Sequence, residues 1–107
     1  MMLTIGKLGK AAGVKVPTIR YYEQVGLMSA PERSEGNQRL YPRRALDRLV
    51  FIRHARELGF PLDSIRDLLG LSDNPAQSCA AADAIARVQL DAVRDRLARL
   101  RALESEL

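Results

Sequence analysis

The chain has 107 residues, 28% charged and 47% hydrophobic, the balance of one globular domain with an attached helix and no room for a separate catalytic domain. Lys and Arg outnumber Asp and Glu by 17 to 13, and the excess sits in one half: Met1 to Phe60 holds 11 basic and 5 acidic residues, Pro61 to Leu107 holds 6 and 8. No apolar run approaches the ~20 residues that cross a bilayer, and the start lacks a signal peptide's apolar core, so the expectation is a cytoplasmic protein with no membrane partner.

A basic first half favours a polyanion, because counterions displaced from phosphates drive association, although many ordinary surfaces are also basic. Cys79 is the sole cysteine, which excludes an intrachain disulfide. With one Cys and one His, a single chain cannot close a tetrahedral zinc site of the usual Cys/His kind.

In chain order, Thr4 precedes a short helix in which Ile5, Leu8 and Ala12 recur at helical spacing, and its hydroxyl can cap the free amides. Gly13 ends that helix. Pro17 suits the first turn of the next, where Ile19, Tyr22 and Val25 place apolar bulk at helical intervals until Gly26. Two helices joined around a glycine form a helix-turn-helix pattern, a pairing common in small helical proteins.

The stretch from Ala30 to Tyr41 is polar and turn-rich, with Gly36-Asn37 able to take left-handed geometry at a hairpin tip, and predicts a short two-stranded wing. Pro42 then opens a helix carrying Leu46, Leu49, Val50, Phe51 and Ile52 mostly on one broad face, ending at Leu58-Gly59. Pro61 restarts helix at once, with Leu62, Ile65, Leu68 and Leu69 inward. Ser72-Asp73-Asn74-Pro75 marks a boundary, since the residue before proline disfavours helix.

From about Ala76 onward there is neither Gly nor Pro. Ala86, Leu90, Val93, Leu97, Leu100, Glu104 and Leu107 alternate steps of four and three, a coiled-coil seam blemished only at Glu104. Such a helix, roughly 45 Å long at 1.5 Å per residue, outruns a ~70-residue domain, which points to a second copy as partner. A helix folded back as a monomeric cap is the competing arrangement. The expected organisation is a winged helix-turn-helix over 1–71, a linker over 72–78 and a dimerisation helix over 79–107, mainly α throughout.

Function concentrates on Thr18-Ile19-Arg20-Tyr21-Tyr22-Glu23. Ile19 and Tyr22 share a face, while Arg20 is turned about 100° away, free to reach phosphate or a guanine edge, and Tyr21 can add a hydroxyl. Two core tyrosines beside a solvated arginine would produce the same pattern. Thr4-Ile5-Gly6, Ala12-Gly13-Val14, Thr18 through Leu27, Arg39-Leu40-Tyr41 and Leu58-Gly59-Phe60, in that order, closely resemble the mercury-resistance-regulator (MerR) family over about the first 71 residues.

That resemblance implies a sequence-specific DNA-binding transcriptional regulator whose second helix enters the major groove of double-stranded promoter DNA and whose wing grips the adjacent backbone. By position, Arg20, Tyr21 and Tyr22 match the family's recognition-helix contacts, and Arg39 and Tyr41 its wing contacts. Thr4, Gly6, Thr18, Arg33 and Asn37 are further candidates for DNA binding. The commonest wing has a Gly-Tyr-Arg run, where this chain has Asn37-Gln38-Arg39.

The resemblance further implies that the long helix pairs antiparallel in a homodimer, with Leu90, Val93, Leu97, Leu100 and Leu107 at the interface, and that the target is pseudo-palindromic. It implies activation by bending and untwisting the promoter, which affects RNA polymerase only through the DNA. Cys79 falls where the family's metal sensors have their first thiolate, whereas the distal cysteines of those sensors are not among these residues. A thiophilic divalent metal as effector of a longer parent chain is therefore one expectation for an incomplete site at Cys79, beside an inert thiol in a helix cap and a single redox-sensing thiolate. An excisionase-like DNA-bending protein would share the reader without the long helix. An interaction module using the coiled coil alone would leave the basic half unexplained. An enzyme has little to build on, since His54, between Arg53 and Ala55, has no nucleophile or paired carboxylate beside it.

Overall fold

The computed structural model describes residues 2–74, 76 and 79–107, with the Cys79 side chain outside the description. Eight elements follow in order: β1 (Met2–Thr4), α1 (Ile5–Ala12), α2 (Val16–Gln24), β2 (Glu32–Arg33), β3 (Arg39–Pro42), α3 (Arg43–Glu57), α4 (Leu62–Asp73) and α5 (Cys79–Glu106). The chain divides into two compact units, Met1–Leu62 and Asp63–Leu107.

In the first unit local rules set most element ends. Thr4 has extended backbone and accepts a hydrogen bond from the Lys7 amide at 3.3 Å, so α1 starts with one of its free donors satisfied. Gly13 closes α1 at φ 71°, a left-handed geometry that costs other residues strain. Gly9 is required for a different reason: a Cβ there would lie 2.6 Å from the Val14 carbonyl oxygen. The bare backbone lets the turn fold back, and the Val14 amide donates to the Gly9 carbonyl at 3.0 Å. Pro17 sits in the first turn of α2, where no backbone donor is lost.

The wing is a hairpin with Arg33 opposite Arg39 and Glu32 opposite Leu40. Its turn is held by the Asn37 amide donating to the Ser34 carbonyl at 2.8 Å and the Gln38 amide to Ser34 Oγ at 3.1 Å. Of the two residues expected to be left-handed only Asn37 is so, with φ 62°, because its amide side chain tolerates that region; Gly36 is not. The sheet has three strands rather than the expected two. β1 joins antiparallel to β3, with Leu3 opposite Tyr41, giving the order β1-β3-β2. The start of the chain thereby pairs with the wing's inner strand and supplies donors and acceptors that β3 would otherwise leave unpaired.

The core of this unit joins Leu8 and Ala12 of α1, Ile19 and Tyr22 of α2, Leu27 and Met28 after it, Tyr41 of β3, and Leu49, Ile52 and Ala55 of α3, all under 9% exposed. α1 is its centre, packing against α2, α3 and β3. Phe51 departs from expectation: it is 42% exposed, because it lies about 100° around α3 from Ile52 and farther still from Leu49. Arg48 Nε donates to the Leu27 carbonyl at 2.6 Å, tying α3 to the segment that follows α2.

In the second unit, Ile65 and Leu69 of α4 are buried, and the Asn74 amide and its Nδ2 both donate to the Gly70 carbonyl, at 3.0 and 3.1 Å, ending the helix. α4 thus runs to Asp73, two residues beyond the expected end of the reader at 71. Pro75, Gln77 and Ser78 of the expected 72–78 linker lie outside the described residues. α5 has 28 residues, about 42 Å at 1.5 Å each. Gln89 is buried and Ala82, Ile85 and Arg96 are half-buried, whereas Leu90, Val93, Leu97, Leu100 and Leu103 are each 38–56% exposed. Arg99 pairs with Asp95 one turn back. Leu107 falls just past the helix and is exposed.

Candidate nucleic-acid interface

α2 presents two faces by simple helical geometry. Ile19 and Tyr22, three apart, are 0% and 8% exposed and belong to the core. Arg20 is exposed and, among the described residues, has no ion pair or hydrogen bond to hold its guanidinium. Tyr21 beside it is 46% exposed, with its ring 6.1 Å from that of Tyr22 and tilted by 51°. Thr18, near the start of α2, is half-buried.

Ahead of α2 the turn forms an open concavity of about 340 Å³, lined by Gly6, Gly9, Lys10, Gly13, Val14, Lys15 and Val16. Gly6 is exposed with open space where a Cβ would project, so backbone there is accessible. Thr4 is half-buried and its hydroxyl is occupied as the α1 cap. Lys10 and Lys15 are exposed on the same rim and add two positive charges to it.

The wing approaches the C-terminal half of α2 through a cluster of three side chains. Glu23, one turn beyond Arg20, receives Arg39 Nη1 on Oε2 at 3.2 Å and the Tyr41 hydroxyl on Oε1. Its side chain is 12% exposed and that of Arg39 32%. Tyr41 is 1% exposed, and burial, with the Glu23 carboxylate next, pushes its phenol pKa up to about 12. At the tip Arg33 Nη1 donates to the Asn37 carbonyl at 3.2 Å, and both residues are exposed.

Two of the candidate contacts are buried. Tyr41 is 1% exposed with its hydroxyl donating to Glu23, and Tyr22 is 8% exposed, so both rings belong to the core. Arg20, Tyr21, Gly6, Arg33 and Asn37 are exposed, and Arg39 is partly so. Glu23 was missed because an acid on a reading helix looks like an obstacle to phosphate. Its partners lie 16 and 18 residues away, beyond any local pattern. Among the described residues no three His, Cys, Asp or Glu side chains gather as a metal site, and no helix is long and apolar enough to cross a membrane.

A helix-turn-helix with an exposed arginine on its second helix, flanked by a tethered β-wing and followed by a long helix, defines a winged helix-turn-helix DNA-binding transcriptional regulator. The family model for MerR HTH family regulatory proteins matches residues 3–71, and the one described as MerR, DNA binding, matches residues 46–107. The chain belongs to the MerR family. It is 44% identical over 107 residues to the HTH-type transcriptional regulator ZntR of Escherichia coli K12, covering 99% of this chain and 76% of that protein. It is 41% identical over 105 residues to the mercuric resistance operon regulatory protein of Pseudomonas fluorescens, covering 98% and 72%. Among solved structures, the transcription regulator PbrR691 from Ralstonia metallidurans CH34 in complex with lead(II) is 46% identical with a TM-score of 0.68, over 97% of this chain and 81% of that one. HiNmlR, a MerR family regulator lacking the sensor domain and bound to promoter DNA, has a TM-score of 0.77 at 20% identity over 98% and 80%, a likeness of fold.

Proposed function

We propose that two copies of the chain pair through α5, place their α2 helices in major grooves of a two-fold symmetric promoter site, and control transcription by distorting that DNA. RNA polymerase then feels the protein only through the promoter. The observation that carries this reading is the separation of roles on α2: Ile19 and Tyr22 anchor the helix while Arg20 and Tyr21 stand exposed. Arg20 takes a guanine edge or phosphate, and Arg39, Arg33 and Asn37 meet the neighbouring backbone. Thr18, Gly6 and Thr4 lie at the approach, where Gly6 offers open backbone and Thr4 acts by capping α1. The exposed apolar stripe of Leu90, Val93, Leu97 and Leu100 is the pairing surface, with Leu107 at its end. Smooth bending of a promoter costs about 1–6 kcal/mol, so an effector that biases one of two dimer geometries is enough to switch it.

For the effector we propose a thiophilic divalent metal, with Cys79 as one thiolate, in line with the lead(II) complex of a relative. One cysteine cannot close such a site, and among the described residues no three His, Cys, Asp or Glu side chains gather, so Cys79 needs further ligands. The protein is a cytoplasmic regulator without catalytic function in this reading.

Footprinting over the chain's own upstream region tests it, with a protected stretch of two-fold symmetry expected. Arg20→Ala should lose about 10- to 100-fold in affinity for that site while keeping its far-ultraviolet helix signal. Unchanged affinity at moderate salt would remove Arg20 from the interface.

A further inference from the structure

Glu23 is a carboxylate embedded in a surface meant for phosphate. By charge alone it weakens DNA binding, yet it joins α2 to β3 through both of its oxygens. We infer that Glu23 is a positioning residue: it holds the Arg39 guanidinium at the base of the wing in the orientation in which its remaining N–H groups meet a DNA phosphate. The inference rests on the reading of this face as the DNA interface.

The geometry carries the argument. A guanidinium has five N–H donors in a rigid fork; Arg39 gives one to Glu23 Oε2 and also interacts with the Tyr41 hydroxyl, which leaves further N–H groups of the fork for a phosphate. At 32% exposure it is neither buried nor swinging free in solvent. Glu23 is itself fixed, because Tyr41 lies wholly within the core and its hydroxyl occupies Oε1. That phenol, with its pKa near 12, remains a donor at any physiological pH. The chain of restraint therefore runs from the core through Tyr41 to Glu23, from Glu23 to Arg39, and from Arg39 outward. It also couples the wing to α2 one turn from Arg20.

The two possible roles of Glu23 predict opposite signs. Glu23→Gln keeps an acceptor for Tyr41 and the side-chain length but removes the charge that holds Arg39. If Glu23 acts only through its field, the variant binds DNA more tightly. If it positions Arg39, the variant binds about fivefold more weakly despite its extra positive charge. Fluorescence anisotropy on a labelled duplex from the chain's own upstream region, across a salt series, reads both.

The expected pattern is weaker binding by Glu23→Gln, with the slope of log affinity against log salt reduced by up to about one, toward the Arg39→Ala value. Glu23→Gln combined with Arg39→Ala should be no worse than Arg39→Ala alone. Tighter or equal binding by Glu23→Gln, or additive losses in the double variant, overturns the inference while leaving the interface intact. Unchanged binding by Arg39→Ala instead removes Arg39 from the interface, and the reading of the wing falls first. Should Glu23→Gln fail to fold, Arg39→Lys asks the same question, because a lone ammonium cannot face Glu23 and phosphate together as a fixed fork does. It should also lose about fivefold, and affinity equal to the parent's counts against the role.

Discussion

The two units of this chain treat their apolar residues in opposite ways. In residues 1–62 a core closes upon itself, with Leu8, Ile19, Leu27, Tyr41, Leu49 and Ile52 at 0–1% exposure, while Phe51 and Leu58 stay outside it. Along α5 the leucines at helical spacing stay open, Leu90, Leu97 and Leu100 at 42–56%. Burial stabilises at about 25 cal/mol per Å², so the first unit is satisfied by its own chain while the second holds much of its stabilising surface in reserve. An isolated helix gains little from propensity alone, so in the proposed dimer the covered stripe would add to the stability of α5.

The largest expected effect breaks the second half of that contrast. Leu97 lies in the middle of the open stripe at 42% exposure. In a symmetric pair, Leu97→Glu places two carboxylates in one apolar seam, a penalty on the order of 5 kcal/mol across the dimer. Sedimentation equilibrium should show the parent as a dimer and the variant as a monomer. Retention of helix signal from residues 1–62 would confirm that the damage is confined to the pairing. A parent that sediments as a monomer would mean that the stripe serves some other partner.

The first half of the contrast is sharpened by Ile19→Ala. Ile19 is fully buried under the reading helix, one position before Arg20. Removing its branched side chain should cost about 2–5 kcal/mol from lost burial and the cavity left behind, read as a lower midpoint in chemical denaturation. Because Ile19 only supports α2, DNA affinity measured well below that midpoint should fall far less than for Arg20→Ala. Comparable losses would show that the core and contact faces of α2 are not separable.

Much of this was legible locally. Thr4 as a cap, Gly13 as a stop, Pro17 in a first turn and the inward pair Ile19 and Tyr22 each follow from a rule that spans four residues or fewer, and the structure has all of them. What escaped was non-local. β1 is three residues long, too short for an alternation to register, and its partner β3 lies almost 40 residues away. Tyr22 and Tyr41 each carry an apolar ring and a polar tip, so composition cannot say whether they face in or out; the packing of α2 and β3 against α1 decides it. Phe51 belongs to a run, Leu49 to Ile52, in which four consecutive apolar residues cannot share one helical face, and helix rotation places it outside. Glu23 joins residues that only the folded wing brings together. The heptad positions Leu90, Val93, Leu97 and Leu100 of α5 are exposed, as a proposed pairing surface requires.

The smallest expected effect probes how the wing is tied to the reader. Tyr41 has a folded-state pKa near 12 against an ordinary value of 10.0, raised chiefly by burial and then by the Glu23 carboxylate. A pKa raised on folding stabilises the native state fully below the unfolded value, and that stability drains as pH climbs through the interval toward the folded value. Denaturation midpoints should therefore hold steady up to about pH 10 and fall between about pH 10 and 12. Tyr41→Phe removes the ionisable group together with the hydrogen bond to Glu23. It should lower stability near neutrality by about 1–3 kcal/mol, the worth of a hydrogen bond to a charged acceptor, while flattening the alkaline fall relative to the parent. A parent and variant with parallel alkaline limbs would place the titrating group elsewhere and leave the Tyr41 hydroxyl as a packing atom. A flattened limb would identify the contact between β3 and α2 as the point at which the reader first loosens in alkali.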